Sequence, residues 1–222
     1  MQNTEPMFNI SERAPLWLAG VFLIIHAFLQ IIPNTLEHYI AYYGVLRPLN
    51  VPVSTVSKTV SVVLHGFLHG DWAHVIINCF MCIAFGVVTI KGIKLQQTSR
   101  GKAAKATSKF LMIFLFGVIG GALAQWLWWS LPVSHHPLGT GALGASGGAS
   151  ALFATAAWAL GGRSKLLSFG LAWTVINMVL YATESFTGVN IAWAAHLGGY
   201  LAGALITPLW VRPNSTNFEI RQ

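Results

Sequence analysis

Ser146 stands in Gly144-Ala145-Ser146-Gly147, at the opening of an apolar run that continues to Gly162. His196 opens a later run, again among small residues, and His74 and Asn78 open an earlier one. These are the residue types that acyl transfer needs. A hydroxyl attacks a carbonyl carbon, an imidazole takes its proton, and preorganised donors meet the negative charge that develops on the carbonyl oxygen. His74 and Asn78 are four residues apart, so they lie one turn apart on one helix face. The imidazole N–H, the amide NH2 and the backbone N–H of Ser146 are suitable donors. In a six-span topology the six carboxylates of the chain are all expected in loops or tails, so a Ser146–His196 dyad, without an acidic third member, is the economical scheme.

The segments that must position these groups are those of a membrane protein. Of the 222 residues, 55% are hydrophobic and 9% charged, against roughly 25% charged in soluble domains. Mean hydropathy is +0.61. Six runs approach the ~20 apolar residues that cross a bilayer as a helix: 15–33, 73–90, 110–131, 144–162, 166–183 and 191–211. The expectation is an all-α bundle of six transmembrane helices over 15–212, with short flanking segments at 1–14 and 213–222. The first run lacks a small-x-small cleavage site, so it reads as a retained span. Pro33 to Trp72, with three prolines, reads as an external loop along the interface; Val60–Leu68 within it either extends the second helix or forms a short separate one. Cys79 and Cys82 share one apolar run and imply no disulfide framework.

Basic residues orient the bundle. Lys91, Lys94, Arg100, Lys102, Lys105 and Lys109 lie between runs two and three, Arg163 and Lys165 between runs four and five, and Arg212 and Arg221 after run six. With Arg13 these are eleven of the thirteen Lys and Arg residues. The positive-inside tendency puts both termini and both basic loops in the cytoplasm. The +7 formal charge is thereby a topology signal, and no nucleic-acid partner is expected. The same loops serve as a ruler. His74 precedes Lys91 by 17 residues, Ser146 precedes Arg163 by 17, and His196 precedes Arg212 by 16. At about 1.5 Å per residue all three sit some 24–26 Å above the inner boundary, a little below the outer surface of a ~30 Å core.

Each polar group has a plainer reading beside the chemical one. Serine in a membrane helix back-bonds to its own backbone, and a lone histidine packs against a neighbouring helix. His26, Gln125 and Asn177 have no partner at matching depth and read as structural. Around Ser146, Gly144, Gly147 and Gly148 leave room for close approach; Gly199 and Gly203, a G-x-x-x-G pair on the last run, let helices pack tightly. Gly144-Ala145-Ser146-Gly147-Gly148 also fits G-x-S-x-G, but that elbow needs a preceding strand, which the hydropathy denies. An aspartyl scheme fails because Asp71 is the only aspartate. His65-Gly66-Phe67-Leu68-His69 has the histidine spacing of H-E-x-x-H with glycine where the base belongs; a metal at His65, His69 and His74 is the minor alternative. No metal and no cofactor is expected.

Phe67-Leu68-His69-Gly70 followed by His74 and Asn78, then Gly144-Ala145-Ser146-Gly147, then Ala195-His196-Leu197-Gly198-Gly199 with Gly203, together resemble the rhomboid intramembrane serine proteases. The resemblance covers most of the chain from Phe67 to Leu205, and Gly120-Gly121-Ala122 is similar to the family's small-residue packing. It implies a bacterial-type, six-span core in the inner membrane, with a water-accessible cavity open to the outer, periplasmic side. Ser146 would be nucleophile, His196 base, and His74, Asn78 and the Ser146 amide the oxyanion hole. Substrates would be single-span membrane proteins cut in or near their transmembrane segment, often after a small residue. Leu166–Thr183 and the loop after it would form a lateral gate and cap. Where some relatives stack a tyrosine on the catalytic histidine, this chain has Ser150; Phe153 and the tryptophans of run three are the aromatic candidates instead. A catalytically silent rhomboid-like protein and a small transporter are the competing classes.

Overall fold

A computed structural model describes residues 12–100, 106–134, 139–187 and 191–213. Seven α-helices cover most of these residues: α1 (Arg13–Leu29), α2 (Asn34–Gly44), α3 (Thr55–Leu64), α4 (Trp72–Arg100), α5 (Ala106–Trp129), α6 (Ser146–Thr187) and α7 (Trp193–Trp210). Helices overlie all six apolar runs, with runs four and five carried by α6 alone. That helix is bent at Gly161 (φ −174°, ψ 29°) and Gly162 (φ 59°, ψ −145°). The Gly162 conformation is one that essentially only glycine tolerates, and it lets the chain reverse between a first arm, 146–160, and a second arm, 163–187. Among the described residues, Trp72–Leu95, Ala106–Trp129 and Ser146–Glu184 are long and apolar enough to cross a membrane; Arg13–Leu29 is a shorter apolar helix. Lys102, Lys105 and Arg221 of the basic set, and the final residues of the tail, lie outside the described residues.

The end of the bundle away from Ser146 is tied by polar contacts. Glu12, just before α1, accepts from Lys94 Nζ at 2.6 Å, so α1 starts beside the far end of α4. Trp158 Nε1 donates to Val211 O at 2.9 Å, joining the end of the first arm of α6 to the end of α7. Thr155 and Thr207 hydroxyls meet at 2.7 Å between the same helices.

The core is built from α1, α4, α5, the first arm of α6 and the residues after α7, with Phe22, Phe110, Phe114, Ile113, Leu152 and Val211 buried in it. Apolar side chains are equally abundant on the outside: Leu171, Val175, Ile176 and Val179 on the second arm of α6, and Leu201, Leu205 and Leu209 on α7, are exposed. An aqueous fold does not present such continuous apolar faces, whereas a helix wall against lipid does.

The segment between α1 and α4 is ordered by two short helices, α2 and α3, and a 3₁₀ turn at His65–Phe67. Of the two readings of Val60–Leu68, the separate short helix is the one found. Ser54 caps α3 by accepting from Ser57 N at 3.1 Å, and Ser57 Oγ donates to Tyr42 O at 2.6 Å, pinning α3 to α2. The segment also holds the chain that leads into α6. Leu46 and Ala142 exchange two backbone hydrogen bonds of 3.0 and 2.8 Å, and Gly144 N donates to His65 O at 2.8 Å. Trp126 Nε1 of α5 donates to Arg47 O at 2.9 Å.

Candidate active site

The site begins with how Ser146 is delivered. It is the first residue of α6, so its backbone N–H has no intrahelical carbonyl to bond. The residue before it is held from α4's side of the molecule: Ala145 N donates to His69 Nε2 at 3.3 Å. Gly144, with φ +118°, makes the turn into the helix. A Cβ there would lie 2.5 Å from His74 Nε2 and 3.6 Å from Asn78 Nδ2. Glycine is thus required twice over at 144, for its backbone angle and for the His74 ring that lies against it. What precedes Ser146 is a loop bridged to Leu46 rather than a strand of a sheet, so the G-x-S-x-G spacing is not an elbow of the soluble kind.

His196 enters from α7. Its Nε2 lies 2.8 Å from Ser146 Oγ, a hydrogen bond between residues fifty apart in sequence. Close approach of the two helices makes it possible. A Cβ on Gly203 would come within 2.5 Å of Ala151 O, and one on Gly199 would run into the Gly147 carbonyl. The first turn of α7 is capped from α5, where Gln125 Oε1 accepts from Ala195 N at 3.2 Å. Both Ser146 and His196 are partly exposed.

His74 and Asn78 project from the first turns of α4. Asp71 caps that helix by accepting from His74 N at 2.8 Å, a favourable arrangement at an N-terminus. Asn78 Nδ2 donates to His74 O at 3.0 Å, leaving its second N–H. The His74 ring stands edge-on to His69, centroids 5.2 Å apart.

Three polar residues without assigned partners in the sequence now have surroundings. Gln125 caps α7, a structural task. His26 packs edge-on against Trp72, and both of its ring nitrogens are buried with no hydrogen-bond partner among the described residues. Asn177 differs from expectation: its Oδ1 lies 2.6 Å from His196 Nδ1. The ring beside His196 is Trp173, tilted 33° at 5.8 Å, and not one of the aromatics named from the sequence. Phe153 stands behind it, packed on Trp173, Phe85, Phe169 and Tyr200. The α5 tryptophan Trp128 packs on Tyr181 and Trp193. Ser150 back-bonds to Ser146 O at 2.7 Å. Of the metal alternative, His65 Nδ1 is bonded to Ser61 O at 2.8 Å and His69 Nε2 to Ala145 N. Among the described residues no three His, Cys, Asp or Glu side chains are grouped to hold a metal ion.

All-helical architecture, apolar outer faces and spanning-length helices define an integral membrane protein in which the first turns of α6 and α7 bring a serine and a histidine into contact. The Rhomboid domain model matches residues 56–213, well over half of the chain, and the protein belongs to the rhomboid family, a family of intramembrane proteases. No curated protein matches the sequence.

Proposed function

We propose that the protein is an intramembrane serine endopeptidase in which Ser146 is the nucleophile and His196 the general base. The observation that carries this reading is the 2.8 Å approach of His196 Nε2 to Ser146 Oγ, within the ~2.6–3.2 Å expected of an activated nucleophile. As Oγ bonds to the substrate carbonyl carbon, its proton passes to Nε2. The imidazolium then gives that proton to the departing amine as the C–N bond breaks, leaving an acyl ester on Ser146. Water, deprotonated by the same nitrogen, cleaves the ester and restores the serine. The oxyanion formed in each half is met by the Ser146 N–H at the positive end of α6, by the second N–H of Asn78, and by His74.

The substrates are single-span membrane proteins, cut in or near the spanning segment. A peptide bond inside a stable helix is shielded, so the substrate must unwind locally, and glycine or other helix-weakening residues near the cut favour this. Residues 15–212 form one six-helix unit with 1–14 and 213–222 as short cytoplasmic segments; the site opens toward the outer face of the inner membrane. The ion pair of Glu12 with Lys94, the Trp158–Val211 bond and the close approach of Gly92 to Val211 and Ala159 support this topology, since together they gather the ends of α1, α4, the first arm of α6 and α7. Leu166–Thr183 acts as the lateral gate; residues 188–190 of the cap lie outside the described residues.

The test is cleavage of a fluorescent reporter span in proteoliposomes. Ser146→Ala and His196→Ala are expected to abolish it while retaining the melting temperature of the wild type. Undiminished cleavage by purified Ser146→Ala would overturn the assignment, and binding of the reporter without any wild-type cleavage would favour a silent rhomboid-like protein.

A further inference from the structure

We propose that Asn177, on the second arm of α6, is the positioning residue of His196: it holds the imidazole in the Nδ1–H tautomer and so keeps the Nε2 lone pair turned to Ser146. This rests on the reading of Ser146 and His196 as nucleophile and base. Asn177 is fully buried, and its Oδ1 is 2.6 Å from His196 Nδ1. The two ends of an amide have the same shape, so which one faces the histidine must be settled by the rest of the network. Here Asn177 Nδ2 donates to Trp173 O at 2.8 Å. Turning the amide over would face its oxygen to a carbonyl oxygen, two acceptors with no proton between them. Oδ1 is therefore the acceptor, and His196 Nδ1 is the nitrogen that carries the proton.

The consequence is at the other side of the ring. A neutral imidazole protonated at Nδ1 has its lone pair at Nε2, 2.8 Å from Ser146 Oγ. The opposite tautomer would donate a proton to Oγ and be unable to take one. When Nε2 is protonated in the reaction, Nδ1–H stays bonded to the Asn177 carbonyl, whose dipole points its negative end at the new imidazolium. A buried carboxylate would do the same at the cost of placing a charge within the membrane; an amide avoids that.

The same arm contributes the face of the ring. Trp173 lies one turn before Asn177 and is tilted over His196. The edge and the face of His196 are thus both held by residues 173 and 177, while the first arm of α6 delivers Ser146. Displacing the second arm from α7 would withdraw both supports together. A bland alternative gives Asn177 only the task of tying α6 to α7.

The deciding measurement is the pair of ¹⁵N ring shifts of His196 in histidine-labelled Ser146→Ala protein, which needs no turnover. The expected pattern is a protonated Nδ1 and an unprotonated Nε2; a predominant Nε2–H tautomer would overturn the proposal. Kinetics on the reporter gives the second arm of the test. Asn177→Leu is expected to lower kcat at least tenfold with KM little changed and to mix the His196 tautomers. Asn177→Asp is expected to recover most of that loss as the neutral acid, whose O–H still donates to Trp173 O while its carbonyl oxygen accepts from Nδ1–H. Wild-type kcat in Asn177→Leu would refute the positioning role while leaving Ser146 as the nucleophile. Cleavage that survives Ser146→Ala would refute the protease reading itself. If Asn177→Leu fails to fold, the tautomer in the Asn177 protein alone decides.

Discussion

Gly199 of α7 lies against the carbonyl oxygen of Gly147 so closely that a Cβ at 199 has no room. The contact is one residue past Ser146 on one helix and three past His196 on the other, so it sets the distance between the two. Gly199→Ala must push α7 away from α6. Overpacking of this kind costs about 1–3 kcal/mol, and a shift of about 1 Å at a reacting pair can cost ~10²-fold in rate. The expected result is a lowered melting temperature together with a loss of kcat near that size. An active Gly199→Ala would mean that the helix spacing is not what holds the pair.

Trp173 should matter in proportion to its contact and no more. An aromatic pair contributes about 0.5–1.5 kcal/mol beyond its buried area, so Trp173→Ala is expected to reduce turnover by about tenfold at most, with Trp173→Phe intermediate. Phe153→Leu, one ring further away, should act more weakly. A larger effect from Phe153 than from Trp173 would contradict the placement of the ring at 5.8 Å from His196.

Asn78→Ala removes one of the three donors proposed for the oxyanion. Loss of a single donor of this type costs up to about 10²–10³ in kcat, and here the Ser146 amide and His74 remain. Turnover on the reporter is expected to fall without vanishing, with KM nearly unchanged. The combined His74→Ala, Asn78→Ala protein should lose further activity. An unaltered kcat in Asn78→Ala would remove that side chain from the oxyanion hole.

His69, in the linker ahead of α4, gives a dependence on pH. Burial, with His74 and His26 nearby, pushes its imidazole down to about 3 from an ordinary 6.5, and its Nε2 accepts from Ala145 N. Above the ordinary value both folded and unfolded states are neutral and the stability is fully present. Below it the unfolded chain binds a proton that the folded one refuses, so stability falls as pH drops from about 6.5 toward about 3. Melting curves between about pH 7 and about pH 4 are expected to show a smaller loss in His69→Gln, whose amide oxygen still accepts from Ala145. Equal slopes in the two proteins would contradict the role.

Much of the site was legible because membranes impose a ruler. Ser146, His196 and His74 each precede a basic loop by 16 or 17 residues, and the structure brings the first two into contact and seats the third against Gly144. Asn177 escaped the same count. It lies 12 residues beyond Lys165, about 18 Å of helix, roughly one turn lower than the others. Two side chains reaching along the helix axis close a gap of that size, which a count of backbone rises does not register. Trp173 was hidden for another reason: in an apolar helix, a ring that faces the site and a ring that faces lipid leave the same pattern. The tether between Leu46 and Ala142 was also invisible, since backbone hydrogen bonds between positions so far apart in the chain leave no trace in residue type.

The central claim is that the Ser146 hydroxyl is activated by His196. A fluorophosphonate reads this directly, because it phosphonylates a serine only when a base draws off its proton. Peptide mapping of the labelled wild-type protein in detergent micelles is expected to locate the adduct on Ser146, with labelling lost in His196→Ala although that variant remains folded. An adduct on another residue, or labelling of Ser146 that persists unchanged in His196→Ala, would contradict it.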